Sequence, residues 1–279
     1  MFSAGPIWEA LRPSVERHVH TIVNRLRSES CRATEWEELN CAESWIATLC
    51  RLLLRIQGLG HGGALLIAPN RSFEDLNVKY KIRYERLRTA LEWQNYYYTL
   101  RSHATQEILG ICSNRKAKDI PVDLYSDETV NARHYRGCLN ELDGAIGFVA
   151  VLTMVDGLVL LSPGLDVQGF GAEITCTEQL PDIYLSETPR ATPSALHRID
   201  YAHFGTRHRS MMRYCYRKRG SVGFVISQDG DVRALTRVGA NLIMWENIKL
   251  QRDYSATGQP ATASSSLQAA RRSKMRLKQ

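Results

Sequence analysis

A chain of 279 residues, 44% of them hydrophobic, is long enough to bury a sizeable core and to form one large or two modest domains. Its seven cysteines (Cys31, Cys41, Cys50, Cys112, Cys138, Cys176 and Cys215) never stand in Cys-x-x-Cys spacing, which argues against a zinc ribbon or a disulfide framework and fits a reducing compartment. No run approaches the ~20 apolar residues of a membrane span and no basic-then-apolar signal opens the chain, so a cytoplasmic protein with no membrane partner is expected; the net charge of +7 is considered with its position below.

From the N-terminus, Trp8, Leu11, Val15, Val19, Ile22, Val23 and Leu26 recur at spacings of three and four, which predicts an amphipathic helix. A second helix is predicted from about Ala42 to Gln57, stopped by Gly58, Gly60, Gly62 and Gly63, and then a short strand from Ala64 to Ala68 closed by Pro69-Asn70. From about Ser72 to Cys112 a long helical pattern carries an aromatic-rich face, including Tyr80, Tyr84, Trp93 and Tyr97, that suits a core or a dimer interface. Polar residues from Ser113 to Asp119 and then Pro121 mark a boundary, so residues 1–118 are expected to form a helical region and 119–253 a second domain.

Within that second domain a helix from Glu128 to Glu141 is predicted to lead into a buried strand over Ile146 to Val155, the most apolar run of the chain, ended by an Asp156-Gly157 turn. Val159 to Ser162 reads as another strand, Pro163-Gly164 with Gly169 and Gly171 as an irregular loop, and Glu187 to His197 as an exposed connection. The chain then predicts a meander: strand Val222 to Ser227, turn Asp229-Gly230, strand Val232 to Val238, turn Gly239-Ala240-Asn241 and strand Leu242 to Trp245. Residues 254–279 are Ser-, Ala- and Thr-rich and end in Arg271, Arg272, Lys274, Arg276 and Lys278, a pattern expected to be disordered. Much of the positive charge sits there, in a tail of the solvated kind, so nucleic acid is not an expected partner.

Two stretches carry candidate chemistry. Gly205-Thr206-Arg207-His208-Arg209-Ser210 packs two guanidiniums, an imidazole and two hydroxyls into what reads as the first turn of a helix, with Thr206 as N-cap. Free backbone N–H groups, the positive helix end and the arginine forks all suit phosphate oxygens. Leu142-Asp143-Gly144-Ala145 would place a carboxylate and a side-chain-free backbone at the mouth of the buried strand.

Together, Asp143-Gly144-Ala145 and Gly205-Thr206-Arg207-His208-Arg209 resemble the two hallmark motifs of the diadenylate cyclase family, the catalytic domain type of the DNA-integrity scanning protein. Val225-Ile226-Ser227-Gln228-Asp229-Gly230 resembles a third family element. The resemblance covers about residues 120 to 250 and implies an α/β fold of the α+β kind, a mixed central sheet flanked by helices, preceded here by the helical region. It implies two ATP molecules meeting across a homodimer or higher oligomer and condensing to cyclic di-AMP with loss of pyrophosphate, aided by Mg²⁺ or Mn²⁺. In that scheme Asp143 binds the metal or polarises the attacking hydroxyl, and Arg207 and Arg209 hold phosphates. His208 contacts phosphate or metal, Thr206, Ser210 and Ser227 donate hydroxyl contacts, and Gly144, Ala145, Gly171 and Gly205 let backbone approach the nucleotide. Where family members with Glu-Glu after the serine carry an acid, this chain has Gln228, and the segment Phe224 to Trp245 resembles a divergent branch of probable sensor domains. Nucleotide sensing for a partner is therefore the alternative expectation.

Rival chemistries find less support. His61-Gly62-Gly63 has no accompanying Gly-x-Ser-x-Gly elbow, no P-loop is present, and His197 and His203 read as loop residues without a ligand-spaced partner.

Overall fold

A computed structural model describes residues 2–69, 73–114, 120–180 and 182–250; the basic tail expected over 254–279 lies outside the described residues. The described chain is a mixed α/β structure of five α-helices and a nine-stranded mixed sheet, as the sequence pattern predicts.

Helix α1 (Pro6–Ser28) begins with proline at its first position, where a missing N–H costs nothing, and buries Ile7, Leu11, Val15, Ile22 and Leu26 on one stripe. Helix α2 (Glu35–Gly58) starts at a capping box in which Thr34 and Glu37 satisfy each other's backbone N–H groups, and it buries Trp45, Leu49, Leu52, Leu53 and Ile56. Gly60 and Gly62 then take positive φ, and a Cβ on Gly62 would stand 2.9 Å from the Ile226 carbonyl oxygen, so the turn into β1 (Gly63–Ile67) requires glycine.

The helical pattern expected from Ser72 to Cys112 divides in two. Leu76 and Val78 are buried while Asn77 and Lys79 are exposed, a period of two, and this stretch forms β2 (Leu76–Tyr80). Helix α3 (Arg86–Asn114) follows. A second correction concerns the strand expected over Ile146–Val155, because α4 (Val122–Leu152) runs straight through Asp143-Gly144-Ala145. Leu142, Ala145, Ile146, Val149 and Ala150 are buried whereas Phe148 and Val151 are exposed; a strand buried on both faces would hide them all, and this period is helical. The contacts Arg86–Glu141, Tyr97–His134 and Arg101–Glu128 step in opposite directions along α3 and α4, which pack as an antiparallel hairpin.

The remaining strands are β3 (Leu158–Leu161), β4 (Val167–Ile174), β5 (Ile183–Ser186), β6 (Leu196–Ile199), β7 (Val222–Ile226), β8 (Val232–Val238) and β9 (Asn241–Trp245), with α5 (Thr206–Arg217) before β7. The meander over β7, β8 and β9 forms as expected. The glycine-rich stretch around Gly169 is a strand rather than an irregular loop: a Cβ on Gly169 would lie 2.4 Å from the Val78 side chain, so glycine here permits close approach of β2 to β4. Strand β6 begins within the last two residues of the stretch expected as an exposed connection, Glu187 to His197, and pairs with β5 just before it through Ser186 and Leu196.

The strand order is β2-β4-β3-β1-β7-β8-β9-β5-β6. Strand β1 is parallel to β3 and antiparallel to β7, so a strand from the expected N-terminal region lies in the middle of the sheet. The boundary expected at 118/119 accordingly separates two helices of one compact unit, residues 1–249. Both faces of the sheet are covered. Ala64, Leu66, Leu160, Val225, Leu235 and Met244 share a core with Met211, Met212 and Cys215 of α5. On the other face α1 contacts β7 and β8, and α2 contacts β7. Double coverage explains why β1, β3 and β7 are apolar without alternation.

Truncating Leu66 to Ala should therefore lower the stability of the whole 1–249 unit by about 2–5 kcal/mol in one urea transition. Separate transitions for the N-terminal helices and the C-terminal strands would contradict the central position of β1.

Candidate functional site

The strand register brings one set of chain ends to a single edge of the sheet. Gly63 at the start of β1 faces Ile226 at the end of β7, which faces Val232 at the start of β8. Leu65 pairs with Val159, Leu158 with Ala172, and Ala234 with Trp245, which adds the start of β3, the end of β4 and the end of β9.

Helix α5 starts at this edge. Gly205, not Thr206, is its N-cap, and no side chain caps it. The first intrahelical bond runs from the Arg209 N–H to the Gly205 carbonyl, leaving the amides of Thr206, Arg207 and His208 ahead of the helical ladder. Residues two apart on a helix point about 200° apart, so Arg207 and Arg209 diverge and His208 lies between them. Ser210 is one turn on from Arg207. The helix end therefore presents its groups to two sides.

On one side the Arg207 Nη2 lies 3.7 Å from Oδ1 of Asp156, a carboxylate that is 91% exposed. Asp156 and Gly157 form the turn from α4 into β3. Gly157 has φ of 113°, and a Cβ there would stand 2.6 Å from the Gly171 backbone. Gly171 itself has φ of 62° and approaches the Asp156 carbonyl, so it does adjoin the site, by holding the turn that carries the acid.

On the other side His208 Nε2 lies 3.3 Å from Arg233 Nη1. Arginine only donates, so Nε2 accepts and the imidazole proton sits on Nδ1. Burial first, then the Arg233 and Arg207 charges, lower the His208 pKa to about 4. The imidazole is thus neutral at pH 7, and a guanidinium against its Nε2 opposes cation binding there. Arg233 in turn pairs with Glu246 at 2.7 Å and Asp231 at 3.5 Å, and its guanidinium lies 5.9 Å from the Phe204 ring centre.

The other expected residues are placed elsewhere or otherwise engaged. Asp143 bonds Arg51 at 3.0 Å on the surface of α4, with Gly144 and Ala145 beside it in the helix. Nine residues of helix, about 14 Å, separate it from the end of α4 that precedes Asp156. The structure therefore does not bring Asp143 and the α5 N-terminus together; it brings Asp156. Ser227 Oγ accepts the Asp231 N–H at 3.0 Å and closes the β7–β8 turn, and Asp229, whose pKa is lowered by its bond to the Ser227 side chain, folds into the same turn. Gln57 donates to the Gly230 carbonyl at 2.6 Å and pins that turn to α2.

Sequence reasoning missed Asp156 and Arg233. Asp156 had a signal, an Asp-Gly pair directly before the apolar run Leu158 to Leu161. Arg233 had one too, since it lies across the β8–β9 pair from Glu246. At the far end of α5 a cleft of about 290 Å³ is lined by Arg217, Lys218, Arg219 and Arg237, but Arg217 pairs with Asp75, and Lys218 with Glu74 and Asp75. Much of its positive charge is thereby compensated.

Among the described residues no group of three or more His, Cys, Asp or Glu side chains is disposed to hold a metal ion. A cation shared with phosphates needs only one or two carboxylates, and exposed Asp156 fits that part whereas His208 does not. No family model matches the chain, and no curated protein matches it.

The sign of the His208 shift gives a pH prediction. A histidine whose folded pKa lies below its ordinary value of 6.5 binds fewer protons folded than unfolded between those limits, so it removes stability as pH falls from about 6.5 towards 4. His18, buried against Asn95 and lowered to about 3, acts in the same direction and over a wider range. The urea midpoint should drop across this window and drop less in His208→Gln; an identical pH profile for the variant would contradict a neutral His208.

Proposed function

We propose that this chain binds the phosphates of an adenine nucleotide at the α5 N-terminus and, as a diadenylate cyclase-type protein, condenses two ATP into cyclic di-AMP. The observation that carries this reading is the approach of Arg207 to Asp156 across the shared edge. It supports a site in which charge neutralisation and positioning, the main needs of phosphoryl transfer, come from adjoining elements. The free amides of Thr206, Arg207 and His208 receive phosphate oxygens, and Arg207 adds a fork to the same group. Arg209, on the other side of the helix, suits a second phosphate or the nucleotide of a second copy.

Asp156 takes the role first expected of Asp143. It would hold a Mg²⁺ or Mn²⁺ ion, which when bound neutralises phosphate charge, and Gly157 and Gly171 keep side chains away from that turn. The 3′-hydroxyl of each nucleotide attacks the α-phosphate of the other, so two copies of the site have to face one another. Pyrophosphate leaves from each.

A second reading, nucleotide sensing without turnover, has one observation in its favour. Asp229, the acid nearest to Gln228, is turned back onto Ser227. That leaves Asp156 as the one carboxylate assigned to a cation.

Incubation with ATP and Mg²⁺ or Mn²⁺, followed by product separation, tests both readings. Cyclic di-AMP is expected from wild type and from Asp143→Asn but not from Asp156→Asn. ATP binding without product in wild type selects sensing, and absence of ATP binding overturns both. Arg207→Ala should weaken ATP binding by about 1.5–3 kcal/mol, roughly 10- to 100-fold, as read by calorimetric titration; an unchanged affinity removes Arg207 from the site.

A further inference from the structure

Away from the α5 edge, two helices and the α1–α2 connection bring a thiol, an imidazole and a carboxylate into one line. Cys31 Sγ lies 3.1 Å from His103 Nδ1, and His103 Nε2 lies 3.0 Å from Glu37. Each group is fixed by its own backbone. The Cys31 N–H donates to the Leu26 carbonyl at the end of α1, Glu37 is the third residue of α2 and closes its capping box, and His103 projects from α3. Glu37 is 1% exposed, His103 31%, and Cys31 is half-buried, so solvent reaches the thiol end of the line while its carboxylate end is enclosed.

The Glu37 Oε2 accepts from both the Thr34 N–H and hydroxyl, which identifies the carboxylate as an acceptor, and both of its oxygens lie about 3 Å from His103 Nε2. The neutral imidazole therefore carries its proton on Nε2, towards Glu37, and turns the Nδ1 lone pair to Cys31. Nucleophile, base and orienting acid stand in order.

We infer that Cys31, His103 and Glu37 form a reactive thiol site whose substrate is a hydroperoxide. Sγ gives its proton to His103 Nδ1 and attacks the distal peroxide oxygen; an S–O bond forms and the O–O bond breaks. The leaving oxygen takes the proton back from the imidazolium, giving water or an alcohol. Sulfur is oxidised by two electrons to a sulfenic acid and the peroxide is reduced. Acyl transfer fits less well, because the amide of Cys31 is occupied by Leu26 and is not available to an oxyanion. Burial, with Glu37 and Glu29 nearby, raises the Cys31 thiol pKa. The resting group is thus a protonated thiol and depends on the imidazole base, which gives the site a genetic test.

The full chain is exposed to hydrogen peroxide at pH 7, sulfenic acids are trapped with a 1,3-dione, and peptides are quantified by mass spectrometry. Exposed Cys112 is the internal reference. Cys31 should be trapped about tenfold faster than Cys112 in the folded chain, lose that advantage in urea, and slow about tenfold in His103→Gln with an unchanged unfolding temperature. Folded wild-type chain in which Cys31 reacts no faster than Cys112 overturns the inference without recourse to any variant. So does a folded His103→Gln chain with the wild-type rate.

Discussion

The pairing of β1 with β3 on one side and β7 on the other is the constraint on which the rest of the molecule depends. Five residues buried on both faces cannot be left at an edge, since each exposed backbone group and apolar side chain would face water. Once β1 is enclosed, the helices before it have to cover one face of the sheet and α5 the other. The same register fixes which chain ends meet, so the turn before β3 and the first turn of α5 become neighbours through strand pairing rather than through any direct affinity.

At that edge the arrangement of charge is asymmetric. Asp156 is exposed and only loosely paired with Arg207, whereas Arg233 is held by Glu246 and Asp231 behind a neutral His208. A guanidinium tied to two carboxylates orients its neighbours; a guanidinium with one distant partner can exchange that partner for phosphate. In the proposed function this difference suits Arg207 to ligand and Arg233 to support. The divergence of Arg207 and Arg209 around the helix follows from 100° per residue and gives a helix end that faces two ways, as the proposed reaction between two nucleotides would require.

The strand–turn–strand meander of β7 to β9 and the start of α5 were legible in the sequence because short-range signals decide them: Asp229-Gly230, Gly239, and the helical spacing of Met211, Met212 and Cys215. The run from Ile146 to Val155 was not, because apolar residues dense enough to suit a buried strand also suit a helix packed on two sides. Only the exposure of Phe148 and Val151 separates the two, and that depends on where α2 and α3 lie. The consequence reached the site: reading a strand there selected Asp143, and recognising a helix moves the carboxylate to the next Asp-Gly pair. Strand β4 escaped notice for another reason, since Gly169 and Gly171 serve close packing in a long-range partnership that composition does not reveal. Likewise, His103 lies 66 residues from Glu37 and 72 from Cys31 along the chain, and only the packing of α3 against the start of α2 and the turn before it unites them.

The proposed function requires phosphate to be received between the first turn of α5 and the turn at Asp156. A crystal structure with a non-hydrolysable ATP analogue tests it most directly. Phosphate oxygens are expected within about 3 Å of the Arg207 guanidinium and the Thr206 to His208 amides. A triphosphate seated instead among Lys218, Arg219 and Arg237 at the opposite end of α5, or beside Asp143 on α4, would contradict it.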